Sequence, residues 1–307
     1  VMFGVVFLPH GVVAAPPAVP PVATDPATAV GFKPHRAIYN VRLIKTHSGS
    51  QVVNIGGQMM YEWQPVCEAW LSNHHFNIQY EYVDTAPMKI VSDFSTYETF
   101  DGKSFSFISQ RRRDGELFEV LRGQGEMEPG KGGQALYTMP DPMKFKLSDR
   151  ALFPMGHSLA VLENMRKGKK FFNAVTFDGS DQEGPVEVNT FIGKPVDPLL
   201  GVNVADVKVG KGGKAAIDKG LILSPARKVR MAFFPEHPPV EPDDPENPDT
   251  PAGLEGVSDY EMSLILHENG VISEMTVEYA DFTLSQKLLA LEPLESGCGD
   301  GKTRLNP

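Results

Sequence analysis

The adjacent pair His74-His75 is the first place in the chain where side-chain chemistry invites a metal ion. It lies in a run that alternates apolar and polar, so on a strand the two imidazoles point to opposite faces and cannot share one ion. No Cys/His spacing elsewhere completes a site. His267-Glu268 lacks the second histidine of a zinc hydrolase motif and abuts a turn, which makes it a turn-flanking polar pair. Asp149, His157 and Ser158 supply the residue types of a nucleophilic triad, but no G-x-S-x-G elbow presents the serine. The FDGSD stretch at 177–181 lacks the alternating acids and distal glutamate of a calcium loop and reads as a turn. The glycines of 208–214 fall outside P-loop spacing. No catalytic set, metal or cofactor is expected from these residues. Cys67 and Cys298 remain, the only two cysteines in the chain.

The element that must position His74, His75 and Cys67 is the stretch around residues 61–82, which also holds both tryptophans. Pro65 is expected to break it, with a short loop at 64–66 leading in. Trp70, Ser72, His74, Phe76, Ile78, Tyr80 and Tyr82 then fall on one face, and Leu71, Asn73, His75, Asn77, Gln79 and Glu81 on the other. Alternation held this long predicts a half-buried strand with an aromatic inner face. Strands are also predicted at 35–46, 52–61, 94–100, 103–113 and 116–127, the last three separated by Asp101-Gly102 and Asp114-Gly115, which are strong hairpin signals. The Gly-rich stretch at 130–133 is expected to be a loop.

One helix is expected after Pro154, ending before Gly168 with Arg166 and Lys167 in its last turn. Its narrow apolar stripe, Leu159, Leu162 and Met165 or Arg166, suits a plug in a barrel mouth or a cap on a sheet. Further strands are predicted at 171–177, 186–194, 203–209 and 226–234. A final hairpin at 259–267 and 271–283 turns at Asn269-Gly270, read as a two-residue type I′ turn. Tyr260, Met262, Leu264 and Leu266 share one of its faces. The fold class is therefore all-β: a large curled antiparallel sheet, an open barrel or β-spiral, with one α-helix. Such a wide sheet need not fill its centre. Trp70, Phe76, Ile78, Tyr80, Met262 and Leu264 are the candidate interior face for an apolar ligand.

Composition narrows the partners. The net charge of −10 and the lack of a long basic run argue against nucleic acid. Arg111–Arg113, the one tight basic cluster, reads as a solvated strand edge. Residues 1–15 form an apolar run ending in small residues, with Val13 and Ala15 where a signal peptidase prefers them. They are expected to be a secretory signal peptide, too short to span a bilayer. Residues 16–33 read as a Pro/Ala-rich linker, 34–298 as one domain, 236–256 as a mobile acidic Pro-rich loop and 299–307 as a flexible tail. Two cysteines in an exported chain favour a structural disulfide over a reactive thiol.

The stretch QPVCEAW, the segment LFPMGHSLAVLENMRKG followed by VTFDGSD, the terminal YEMSLILHENGV and the late cysteine resemble the cell-envelope integrity protein B (EipB) family of alphaproteobacteria. The resemblance runs over about residues 35–298. It implies a periplasmic β-spiral wound around a helix, a conserved disulfide mapping onto Cys67 and Cys298, and no catalytic residues. It further implies a non-enzymatic role in the envelope, acting through a periplasmic partner protein or a lipid or lipoprotein acyl chain. A hydrolase or transferase acting on envelope polymers is the alternative; it requires paired acids or a nucleophile on inward-facing positions.

Overall fold

The computed structural model describes residues 31–208, 216–235, 258, 260–295 and 297. Period-two alternation decides its architecture. β1 (His35–Thr46) buries His35, Ala37, Tyr39 and Val41 while the residues between them are partly exposed. It opens a meander in which each strand runs antiparallel to the next: β2 (Val52–Val66), β3 (Ala69–Tyr82), β4 (Met88–Thr99), β5 (Ser104–Arg113), β6 (Glu116–Glu128), β7 (Gly132–Met139) and β8 (Met143–Leu147). A short β9 (Ala151–Leu152) leads into the helix α1 (Pro154–Arg166), and β10 (Phe171–Thr176) returns parallel to β9.

The second half continues with β11 (Val186–Val196), β12 (Val207–Lys208), β13 (Ile217–Asp218), a helical turn α2 (Lys219–Ile222), β14 (Ala226–Pro235), β15 (Tyr260–His267), β16 (Ile272–Tyr279) and β17 (Phe282–Pro293). β17 pairs antiparallel with β1, Tyr39 standing opposite Leu288. The pairings therefore run β8 through β1 in descending order, then β17, β16, β15, β14, β11, β10 and β9, with β12 and β13 attached alongside β17. The two ends of this sheet, β8 and β9, are joined in the chain by residues 148–150 alone, and Ala151 N–H donates to the Ser148 carbonyl. The sheet thus winds almost back onto its own start, an all-β, near-closed barrel around α1.

Core packing follows the winding. Met155, Val161, Leu162 and Met165 of α1 share a cluster with Trp70, Ile78, Val229, Leu264 and Met275. Phe94, Phe105, Phe107, Tyr137, Phe153 and Phe177 form a second, with the Phe105 and Phe153 rings stacked at 4.9 Å. Tyr39, Leu288 and Leu291 pack with Ile217, Leu221 and Ile222 in a third.

Several expectations are corrected. Pro65 does not break its strand: it pairs with Trp70, and the chain turns at Cys67-Glu68, where Cys67 adopts a left-handed φ of 55°. β7 begins inside the stretch expected to be loop at 130–133, because Gly132 and Gly133 still pair on the ladder opposite Glu128 and Met127, and β8 follows where no element was predicted. The strand predicted at 203–209 is a 3₁₀ turn at Val204–Asp206 followed by the two-residue β12. The strand at 271–283 is two, split at Ala280-Asp281, a turn without glycine or proline to announce it.

At Asn269-Gly270 only Gly270 has positive φ, so the turn is not type I′. His267 N–H bonds across to the Val271 carbonyl, closing a longer loop, and the Asn269 amide is held by the Leu221 carbonyl at 2.8 Å. Arg111–Arg113 is no edge, since β5 lies between β4 and β6. His267 is fully buried between Ser224 and Ser273, not a turn-flanking surface group. Phe32, expected in the linker, is buried against Trp70 with ring centroids 5.2 Å apart. Residues 1–30, most of the 208–214 glycine run, the 236–256 loop, Cys298 and the 299–307 tail lie outside the described residues.

Candidate functional site: two chambers inside the barrel

The alternation of β2 and β3 sends one row of rings inward. Tyr61 and Trp63 stack at 5.3 Å, and His74 meets Tyr61 edge-on at 4.5 Å. Phe76 and Phe94 extend the wall. These rings bound a cavity of about 460 Å³, closed on the opposite side by Tyr260, Met262, Met275, Val277, Tyr279 and Gln286. A second cavity of about 190 Å³ lies between α1 and the β14–β15 wall, lined by Val161, Leu162, Met231, Phe233, Leu264 and Leu266 among others. Trp63, Ser158 and Met262 line both, so they form the partition between neighbouring chambers. The sizes fall at and below the low end of ordinary small-molecule sites, about 300–1,000 Å³.

The six residues expected on the interior face take three places. Phe76 and Met262 line the larger chamber, and Met262 and Leu264 the smaller. Trp70 and Ile78, at 1% and 6% exposure, are wall packing behind the chambers. Tyr80 packs on the same core and stacks with Tyr82.

Polar groups also enter the chambers. Ser72, Ser92, Thr96, Ser109 and Ser180 line the larger one, with Arg111 and Asp178. Arg111 pairs with Glu119 at 2.8 Å and donates to the Ser180 carbonyl at 2.8 Å. Asp178 accepts from Ser180 N–H at 2.9 Å, and burial pushes its carboxyl up. Desolvation holds His74 and His157 neutral, each down to about 4. His75 points outward to Asp93 at 2.7 Å, so the neighbouring histidines are on opposite faces. Ser158 donates to the Pro154 carbonyl of its own helix at 2.9 Å. Among the described residues no cluster of three or more His, Cys, Asp or Glu is arranged to hold a metal.

Sequence reasoning missed Glu98 of β4. It is 4% exposed, and its two carboxylate oxygens accept from Met155 N–H at 2.7 Å and Gly156 N–H at 2.8 Å. Phe153, at the helix N-cap, offers no side-chain acceptor, so a distant strand supplies it. This carboxylate at the positive end of the dipole fixes α1 inside the barrel. Tyr61 and Trp63 were legible, since Met59, Tyr61 and Trp63 alternate as β3 does; Arg111, Asp178 and Ser180 meet only through the winding.

At the rim, exposed Cys67 follows a strand end held by the C-terminal segment. Gly297 N–H donates to the Pro65 carbonyl at 2.9 Å, and the Gln64 amide donates to the Glu295 carbonyl at 2.7 Å. A family model described as EipB-like matches residues 26–295. The chain belongs to the EipB-like family. It is 26% identical over 283 residues to the cell envelope integrity protein EipB of Brucella abortus (strain 2308), covering 90% of this chain and 89% of that protein. Its fold is also similar to the crystal structure of a β-barrel-like protein of domain of unknown function DUF1849 from Brucella abortus. That match has a TM-score of 0.69 at 23% identity and covers 86% of this chain and 99% of that one. No helix of this EipB-like chain, among the described residues, is long and apolar enough to cross a membrane.

Proposed function

We propose that this EipB-like protein is a non-enzymatic periplasmic factor that supports cell-envelope integrity by holding the apolar part of an envelope component, a lipid or lipoprotein chain, inside its barrel. The observation that carries the reading is the paired chambers that share Trp63, Ser158 and Met262: the smaller is lined mostly by apolar side chains, and the larger has an aromatic and Met wall facing Ser, Thr, Arg111 and Asp178. The apolar parts of these linings suit a hydrocarbon, whose transfer from water is favourable in proportion to the area buried. The envelope role is supported by the relative's name. The buried carboxyls give an enzyme less to work with: Glu98 and Asp178 are each engaged with backbone N–H groups.

A structural disulfide between Cys67 and Cys298 is part of the same proposal. Support comes from Gly297, the neighbour of Cys298 in the chain, which is bonded to Pro65, two residues before Cys67. Native mass spectrometry of the protein released from the periplasm without detergent tests the binding role. A discrete lipid mass is expected, and it is lost when Met262→Asp places a charge in the partition. Protein that carries no added mass and takes up no alkyl probe in solution refutes the carrier reading.

A further inference from the structure

A third cavity, of about 470 Å³, lies on the opposite side of the β14–β15 wall from the chambers. Strand register places it there. Met231, Met262 and Val277 stand opposite one another on β14, β15 and β16 and line the chambers. One residue along each strand, Arg230, Ser263 and Thr276 stand opposite one another and line the third cavity, so they point out of the barrel. The neighbouring row is Lys228, Ile265 and Glu274, also cross-strand partners, with Ile265 at 4% exposure forming an apolar floor between the two charges.

Two walls turn this sheet face into a groove. Phe191 of β11 stands opposite Arg230 and is 54% exposed. Facing it is the turn that carries Leu200, 42% exposed and held by Leu200 N–H on the Asp197 carbonyl and Val202 N–H on the Leu199 carbonyl, each at 3.0 Å. Glycines keep the space open and the walls close. At Gly193 the pairing of β11 skips from Ile192 to Pro195, and a Cβ there would lie 2.9 Å from the Lys228 carbonyl oxygen. Such bulges recur beside functional sites. A side chain at Gly201 would collide with the Glu274 carboxylate, so glycine lets the Leu200 turn sit down on β16.

The charges inside the groove do not cancel. Arg230 is paired with Glu261, its Nε donating at 2.9 Å, and Glu274 with Lys287 at 3.6 Å. Lys228 makes no ion pair among the described residues. An exposed lysine is ordinarily satisfied by water alone. Here the ammonium shares a cavity of ordinary small-molecule size with two exposed apolar side chains that water does not serve, in a chain whose net charge is −10.

We propose that this outer groove binds a small amphiphilic carboxylate, its single anionic head on Lys228 and its short apolar body over Ile265 between Phe191 and Leu200. One spare positive charge matches one negative charge. Glu274 fixes the polarity, because two strand spacings, about 10 Å, separate it from Lys228 and it repels a head placed at its own end. A cationic head would meet Lys228 and Arg230 at the other end. The groove is separate from the chambers and does not depend on the carrier reading.

The test uses the intact protein and probes that share one alkyl chain: octanoate, octylammonium and 1-octanol, at about pH 7 and low salt, where the first two are ionised. Calorimetry is expected to show saturable octanoate binding, at least about tenfold tighter than octylammonium. Lys228→Met, which keeps the apolar stem and removes the charge, is expected to weaken octanoate about tenfold and to leave octanol unchanged. Leu200→Asp, at an exposed wall position, is expected to weaken octanoate as much, and it decides the matter should Lys228→Met fail to fold. Both tryptophans lie at the chambers, so octanoate in the groove should leave tryptophan emission unaltered. Octanoate affinity that is absent, equal in parent and variants, or matched by octylammonium overturns the inference. Octanoate binding that is lost in Met262→Asp and kept in Lys228→Met places the acid in the barrel and overturns it too. Failure of octanol uptake alone counts against the carrier reading and leaves the groove standing.

Discussion

Replacing Glu98 by Gln is the sharpest probe of how the plug helix is held. Burial pushes this carboxyl from its ordinary value near 4.5 up to about 7, because desolvation outweighs the two N–H donors of Met155 and Gly156. Below about pH 4.5 folded and unfolded chains both keep the proton. Between about 4.5 and about 7 the unfolded chain releases it while the folded chain retains it, so stability falls as pH rises. Above about 7 the loss is complete and amounts to roughly 3 kcal/mol.

Three buried histidines act in the opposite sense. His35, His74 and His157 are pushed down to about 4 by burial, so between about 4 and 6.5 the unfolded chain binds protons that the folded chain refuses, and stability rises with pH. The net profile of the unaltered protein mixes both trends. The difference between it and Glu98→Gln isolates the carboxyl, because every histidine is shared. The amide loses one acceptor, a fixed cost of about 1–3 kcal/mol. Relative to the parent, the variant is therefore expected to gain roughly 3 kcal/mol as pH rises from about 4 to about 8. Urea unfolding across that range measures it. A difference that stays constant with pH refutes the raised ionisation of Glu98.

Other perturbations separate the remaining claims. Cys67→Ser, Cys298→Ser and the double variant are expected to lower the melting temperature by similar amounts, in keeping with about 2–5 kcal/mol for a native disulfide. Reductant should do the same to the parent and add nothing to the double variant; two titratable thiols in protein isolated from the periplasm would remove the bond. Gly57→Ala puts a methyl group into the Asn77 carbonyl of the neighbouring strand β3 and should cost about 1–3 kcal/mol. Gly56→Ala next to it, with its nearest neighbour at 3.8 Å, is the control and should lose less. Equal melting temperatures for the two would show that the β2–β3 spacing is not what requires the glycine. For localisation, a reporter active only outside the cytoplasm, fused to the C-terminus, should give signal on the full chain and none on a chain beginning at residue 16; equal signal from both would exclude the signal peptide.

Sequence by itself determined the strands and the faces they bury. β1 has the bounds its alternation predicts, and the helix starts at Pro154, whose missing N–H costs nothing in the first turn. Trp70, Phe76, Ile78, Tyr80, Met262 and Leu264 pack on one core because a side-chain period of two leaves no other choice once one face is apolar. Signals failed where the local chemistry was silent: glycines that pair on a ladder in β7, and a turn at Ala280-Asp281 with no residue that favours positive φ.

Tertiary structure alone decided what those faces enclose. Pairing of β17 with β1 and the return of β9 beside β10 bring Gln286, Met262 and Asp178 opposite Tyr61, His74 and Arg111, from widely separated parts of the chain. Glu98 reads as one more polar residue in a strand, and no local pattern marks it as the cap of a helix 57 residues further on. Local periodicity reports which way a side chain points. What it points at depends on how far the sheet twists and where it meets itself, and that is set by the whole sheet at once.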